Sequence, residues 1–213
     1  GSCASGPCRC AARRPQPADA GYGHTVPRAG DHPARLAGAG GIWRMIVYRD
    51  ARPDDGKALA TMARTAFTET FGTLYKPADL AAFLDEAFGP DGLPAQIGDP
   101  AFTIRVATQG EAIIGFAKIG PVAFPGDWPE RAVELYQLYV LSSHLGAGIG
   151  PALMDWAIEA ARARGASDLM LSVYVDNHRA KAFYKRYGFV DVGRYDFPVG
   201  DTIDEDRIMR LAL

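Results

Sequence analysis

The chain predicts an α/β fold built on a mixed sheet. Three observations carry that expectation. From residue 45 onward, short β-branched and aromatic runs alternate with stretches of helical periodicity. Gln109-Gly110 separates two alternating runs and signals a hairpin, so antiparallel neighbours are expected. The run Leu138-Tyr139-Val140 passes into a helix through a loop with glycine at 146, 148 and 150. Backbone N–H groups converge in such a loop with no side chain in the way, and a helix N-terminus lies directly behind, an arrangement suited to phosphate groups.

The elements follow in order. Residues 45–49 read as a strand. Residues 53–71 read as a helix, with Asp50 or Arg52 near its start and Pro53 in its first turn. Its apolar positions Leu59, Met62, Ala63, Ala66 and Phe67 recur at helical spacing. Pro77–Phe88 is a second helix, ended by Gly89-Pro90. Residues 101–108 and 112–119 are the hairpin strands, 121–129 a loop, and 132–141 a further strand. Residues 148–164 form a helix ended by Gly165, and 169–175 a strand. Residues 177–187 form the last helix, ended by Gly188, and 189–197 with 207–211 complete a strand pair. There are no internal repeats.

Residues 1–44 differ in character. Of these, 22 are Gly, Ala or Pro, too little apolar surface to offset the entropy of ordering. The segment is expected to be a disordered N-terminal extension, or upstream sequence, with Met45 as the native start and Gly1-Ser2 a cloning scar. An Arg-rich transit peptide is the alternative, and the segment lacks the apolar stretch of a secretory signal. Residues 45–213 are the folded domain.

Charge is uneven. The first 44 residues carry six Arg against Asp19 and Asp31. Subtracting these from the chain's 23 basic and 25 acidic residues leaves residues 45–213 with a net charge of −6. This argues against a nucleic-acid partner and suits a cationic small substrate, although a solvated acidic surface explains it equally. No apolar run is long enough to cross a bilayer. Cys3, Cys8 and Cys10 are all the cysteines. A disulfide framework and a zinc site are both excluded from the domain, and the usage fits a reducing cytoplasm. No metal is expected.

The glycine loop has rivals to dispose of. A P-loop requires Gly-x-x-x-x-Gly-Lys-Ser/Thr, and no Lys follows here. A Rossmann fingerprint requires a third glycine where Pro151 stands, and belongs near the start of its domain. A tight loop for close helix–strand packing stays open as the plain structural reading. The window Leu145-Gly146-Ala147-Gly148-Ile149-Gly150, however, resembles the Gln/Arg-x-x-Gly-x-Gly/Ala motif of the GCN5-related N-acetyltransferase (GNAT) superfamily, and only its first slot departs. Asn177-His178-Arg179-Ala180-x-x-Phe183-Tyr184-x-x-x-Gly188-Phe189 resembles that family's second motif, in the right order. The resemblance covers residues 45–213. It implies a twisted, mostly antiparallel sheet of six to seven strands flanked by helices and splayed between strands 4 and 5. It also implies acetyl-CoA as co-substrate, and homodimers are common among the members. The insert Phe67-Thr68-Glu69-Thr70-Phe71 with Leu80-x-x-Phe83-Leu84-Asp85-Glu86-Ala87-Phe88 looks like that of bacterial spermine/spermidine acetyltransferases. So does the ending Phe197-x-Val199-Gly200-Asp201-x-x-x-Glu205-Asp206-x-Ile208-Met209.

The resemblance assigns roles. The amides of Gly146, Ala147, Gly148, Ile149 and Gly150 would hold the pyrophosphate, with Leu145 and Pro151 among the coenzyme contacts. Leu138, Tyr139 and Val140 would pair with the pantetheine arm, an amide of Leu138 or Val140 serving as oxyanion donor. Asn177 would touch pantetheine or the adenosine side, or act as N-cap, or both. Glu134 lies eleven residues before Leu145, where histone-type members place a catalytic base. Strand alternation puts it on one face with Tyr136 and Leu138. An edge carboxylate, with water as the base, is the competing reading. Tyr184 matches the family's thiolate-protonating tyrosine. It also belongs to a core stripe with Ala180, Phe183 and Tyr187.

Other positions read as plain structure. Trp156 is expected in the core, His144 and His178 are incidental, and Lys181 and Lys185 are solvated. Glu69, Asp85, Glu86, Asp127 and Glu130 offer negative charge to a polyamine acceptor or are simply surface. With no cysteine in the domain, a cysteine acyl-enzyme is excluded, so acetyl would pass directly to the amine in a ternary complex. The rivals are a non-catalytic acyl-CoA-binding sensor and a Rossmann-type nucleotide binder.

Overall fold

A computed structural model describes residues 45–213. The expectations for residues 1–44 lie outside the described residues. One seven-stranded sheet runs in the order β1-β2-β3-β4-β5-β7-β6. Its strands are β1 (Ile46–Asp50), β2 (Thr103–Gln109), β3 (Ala112–Pro121), β4 (Ala132–Val140), β5 (Asp168–Tyr174), β6 (Val190–Val199) and β7 (Thr202–Ala212). Only β4 and β5 are parallel; every other neighbour is antiparallel. α3 (Ile149–Ala163) and α4 (His178–Arg186) cover one face, where Leu153, Ala157, Leu171 and Tyr184 share a core. α1 (Gly56–Phe71) and α2 (Pro77–Phe88) cover the other, where Leu59, Phe67, Phe116 and Tyr139 share a second core.

The first helix begins later than its pattern suggested. Pro53–Asp55 is a single 3₁₀ turn, and α-helix starts at Gly56. The Asp55 carboxylate causes the tightening. It accepts from the Arg52 amide at 2.7 Å and from both terminal nitrogens of Arg49 at 2.6 and 2.8 Å. The Arg49 hydrogen bond holds the Asp55 carboxyl below its usual range. β1 is thus fastened to the start of α1, whose predicted stripe from Leu59 to Phe67 is buried throughout.

The C-terminal hairpin is longer than expected. β6 and β7 pair from Val190↔Arg210 to Val199↔Thr202, turning on Gly200 at φ 57°. The acidic run 204–206 hid the start of β7, because Asp and Glu are depleted in strands. Here they have partners: Tyr75 donates to Asp204, and Arg194 and Arg207 stand 3.6 Å from Glu205.

β4 carries the decisive irregularity. Its register against β3 runs Lys118↔Gln137 and then Ile119↔Leu135, which leaves Tyr136 as an extra residue. Alternation is broken there. Glu134, paired with Gly120, and Gln137, paired with Lys118, share the α1/α2 face, while Leu138 packs with the α3 core. The expectation that Glu134 and Leu138 share a face is therefore corrected, and the bulge is the reason. The extra ring is accommodated at Gly120, where an added Cβ would meet Phe102 Cδ1 at 2.4 Å and Tyr136 Cε2 at 3.2 Å. Gly120→Ala is expected to cost about 1–3 kcal/mol through overpacking. Chemical denaturation measures it.

Candidate active site

The parallel pairing of β4 with β5 covers only Ala132↔Asp168, Val133↔Leu169 and Glu134↔Met170, and then the strands separate. The paired end is fastened. Arg210 Nε donates to Asp168 Oδ1 at 2.6 Å, and Ser167 donates to Oδ2 at 2.7 Å. Burial alone would lift the Asp168 carboxyl, but these two hydrogen bonds outweigh it and hold it below the usual range. Beyond the pairing, β4 keeps only β3. The Leu141 amide donates to Ile114 O at 3.0 Å. Stepping back by twos along an antiparallel ladder, Tyr139 and Gln137 also bond toward β3, so the main-chain groups of Leu138 and Val140 turn to the open seam.

The glycine loop follows directly. Ser142–His144 makes a 3₁₀ turn whose Ser142 amide donates to Glu69 Oε2 at 2.9 Å, a contact that ties the turn to α1. Gly146 and Gly148 have φ of 85° and 80°, backbone that side chains rarely adopt. The Ala147 amide is engaged with His144 O at 3.4 Å and the Ala152 amide with Gly148 O at 3.1 Å. Among the described residues the amides of Gly146, Gly148, Ile149 and Gly150 have no partner. Pro151 has no N–H to leave unsatisfied. A Cβ added at 146, 148 or 150 would project into open space. Unpaired donors at a helix N-terminus, facing an unobstructed cradle, are chemically suited to an anion.

That cradle opens into a cavity of about 450 Å³. Leu138, Val140, His144, Leu145, Gly146, Gly148, Ile149, Gly150 and Pro151 line one side, and Arg179, Ala182, Phe183, Tyr184 and Arg186 of α4 the other. Tyr184 is only 1% exposed, so it packs in the core and borders the cavity together. Three of the predicted coenzyme-binding residues are not on the wall. The Ala147 amide is spent within the turn. Tyr139 points to the opposite face, its ring centroid 5.4 Å from that of Phe116. Asn177 caps α4, its Oδ1 accepting from the Ala180 amide at 3.2 Å. Lys181 is drawn aside to Val175 O. Arg179, Ala182, Phe183 and Arg186 were missed as cavity residues, although they form an i, i+3, i+4, i+7 stripe that shares Phe183 with the core stripe, and that spacing was legible. His144, expected to be incidental, lines the cavity.

Glu134 lies on the other face. It is fully buried, and its Oε2 accepts from the Ala123 amide at 2.8 Å. Burial pushes its carboxyl up to about 8, against the opposing pull of the Ala123 and Phe124 amides and the Lys118 charge. Burial raises the Tyr195 hydroxyl as well, with added repulsion from Glu134 and Asp206, so these three groups are neighbours. Lys118 Nζ donates to Gln96 at 2.7 Å and sits 4.3 Å from the centre of the Tyr136 ring. The proposed acceptor charges fare differently. Glu69 holds Ser142, Asp85 pairs with Arg64 at 2.8 Å, and Glu86, Asp127 and Glu130 are exposed.

The profile of the Acetyltransferase (GNAT) family matches residues 58–189. This chain belongs to the GNAT acetyltransferase family. It is 30% identical over 155 residues to an uncharacterised N-acetyltransferase of Mycobacterium bovis, covering 73% of this chain and 96% of that one. It is 31% identical over 161 residues to the streptothricin acetyltransferase of Streptomyces lavendulae, covering 68% and 82%. Its fold matches the PaiA N-acetyltransferase of Thermoplasma acidophilum, solved in complex with coenzyme A, with a TM-score of 0.66 and 21% identity over 79% of this chain and 99% of that one. The GNAT sheet with its single parallel pair is the architecture expected. Among the described residues no helix is long and apolar enough to cross a membrane. The free amides, open cradle and flanking arginines fit the coenzyme that GNAT enzymes use.

Two predictions follow from this geometry. The family motif admits Ala at position 150, so a larger side chain is needed to fill the cradle. Gly150→Leu, with no strained φ and a better helix former than Gly, should weaken coenzyme A binding by about 10-fold or more while leaving Tm unchanged or higher. Calorimetry and thermal melts check it. The Glu134 carboxyl is raised in the folded state above its unfolded value of 4.5. The stability it contributes is therefore present in full below that value and is lost as pH rises through about 8. Melts of wild type and Glu134→Gln across that window should show a fall that the variant lacks.

Proposed function

We propose that this GNAT protein passes acetyl from acetyl-CoA directly to a primary amine in a ternary complex, with a polyamine as the favoured acceptor class. The observation that carries the reading is the opened β4–β5 seam, with unpaired main-chain donors at its mouth and a buried carboxyl beside it. Bound acetyl-CoA supplies the activated acyl group. The amides of Gly146, Gly148, Ile149 and Gly150, with Arg179 and Arg186, hold its phosphates. The seam-facing amides of Leu138 and Val140 offer hydrogen bonds to the thioester oxygen as negative charge grows on it. Glu134 accepts the amine's proton, and an acceptor with affinity near 8 is well matched to that task. Tyr184, on the cavity wall, donates to the departing sulfur. With no cysteine in residues 45–213 there is no thiol to carry a covalent acetyl intermediate.

The polyamine proposal is supported by the net charge of −6 on residues 45–213. The likeness to a streptothricin acetyltransferase makes that antibiotic a second acceptor to test. The proposal extends to a cytoplasmic setting, on the cysteine usage, and to a homodimer, on the family likeness. The alternative of a non-catalytic acyl-CoA-binding sensor draws on the core packing of Tyr184.

The deciding experiment is thiol release from acetyl-CoA with spermidine, a lysine peptide, an aminoglycoside and streptothricin. Spermidine is expected to give the highest kcat/KM, and no release with any amine would leave the sensor. Glu134→Gln should lower turnover by roughly 10²–10⁴ and abolish a rising limb of the pH profile near 8. Tyr184→Phe should lower kcat without weakening coenzyme A binding, whereas full turnover would reduce Tyr184 to packing.

A further inference from the structure

Where β4 leaves β5, the register counted onward sets two buried polar side chains at corresponding positions on the two strands, and neither has a hydrogen-bond partner. Counting on from Glu134↔Met170, with Tyr136 as the bulged residue, brings Gln137 opposite Ser172 across the seam. The count is consistent with the packing, because it also sets Leu135 against Leu171 and Leu138 against Val173, all members of the α3 core. Gln137 is 0% exposed and Ser172 1%. Among the described residues, neither Nε2 nor Oε1 of Gln137, nor Oγ of Ser172, has a hydrogen-bond partner. Buried polar atoms are nearly always satisfied, so three orphaned atoms at one gap call for an explanation. Both residues lie on the face of Glu134, opposite the glycine loop. Ser172 pairs with Ile208 and is therefore diagonal to Asp206, itself fully buried.

We infer that Gln137 and Ser172 form the seat for the acceptor's attacking nitrogen. This inference rests on the N-acetyltransferase reading and adds the residues that position the amine. Gln137 Oε1 and Ser172 Oγ accept the two N–H bonds of a neutral primary amine, which turns its lone pair toward the seam. The nitrogen then bonds the acetyl carbon and the carbon–sulfur bond breaks. The nitrogen's surplus proton goes to Glu134, and the sulfur takes one from Tyr184. Amine and thioester become amide and thiol, with no other reactant. Two acceptors at the seat select primary over secondary amines, because a secondary amine leaves one of them unpaired. Gln137 and Ser172 are positioning residues; the proton transfers belong to Glu134 and Tyr184.

The test uses Gln137→Leu and Ser172→Ala in the full chain, with acetyl-CoA and spermidine, a lysine peptide or an aminoglycoside. If the seat is right, removing orphaned polar atoms leaves Tm unchanged or raised and coenzyme A affinity unchanged. The kcat/KM for the amine falls roughly 10²-fold in Gln137→Leu, because a misplaced nucleophile reacts that much more slowly. Activity toward N-methylated secondary amines falls less. Wild-type kcat/KM in both variants, or a fall in Tm and coenzyme A binding that matches the fall in activity, overturns the seat while sparing the enzyme reading. Should Gln137→Leu fail to fold, Ser172→Ala removes a single oxygen atom and decides alone. A wild-type protein inactive on all three amines overturns the enzyme reading and the seat with it.

Discussion

The structure depends on a pairing that stops. β4 and β5 share three residue pairs and then part, although both strands continue. Unpaired main-chain groups in a protein interior are costly, and folded chains rarely tolerate them without a partner. Here the cost is offset from both sides. β4 is held along its length by β3 and β5 by β7, while Asp168, Arg210 and Ser167 close the joined end. A gap held open this way persists without a guest and is ready for an extended molecule that brings its own donors and acceptors.

The bulge at Tyr136 gives the gap two different faces. Without the extra residue, Glu134 and Leu138 would point the same way, and donor and acceptor would compete for one surface. With it, Leu138 and Val140 border the cavity of the glycine loop, while Glu134 and Gln137 turn to the α1/α2 side. The donor can then lie on one face and the amine approach from the other, meeting in the plane of the sheet. The burial that lifts the Glu134 carboxyl follows from the same geometry.

Much of this was legible in the sequence. The alternation of elements, the glycine loop after the fourth strand and the Asn177-to-Phe189 segment pointed to the fold and to the loop whose amides are free, because periodicity and turn chemistry are local signals. The start of β7 was hidden by acidic residues whose partners come from distant elements. The bulge was hidden for a related reason: Tyr136 extends the alternating run without interrupting it, and only the register against β3 shows that one residue is extra. Gln137 and Ser172 look like unremarkable strand residues until β4 and β5 are set side by side. Glu69 looked like acceptor-site charge, yet its partner is the Ser142 amide, 73 positions along the chain.

The most direct measurement is a crystal structure of the protein with coenzyme A. The diphosphate is expected on the amides of Gly146, Gly148, Ile149 and Gly150 and the pantetheine arm between β4 and β5, hydrogen-bonded to the main chain of Leu138 or Val140. A coenzyme bound elsewhere, or a seam that closes into continuous β4–β5 pairing in the complex, would contradict it.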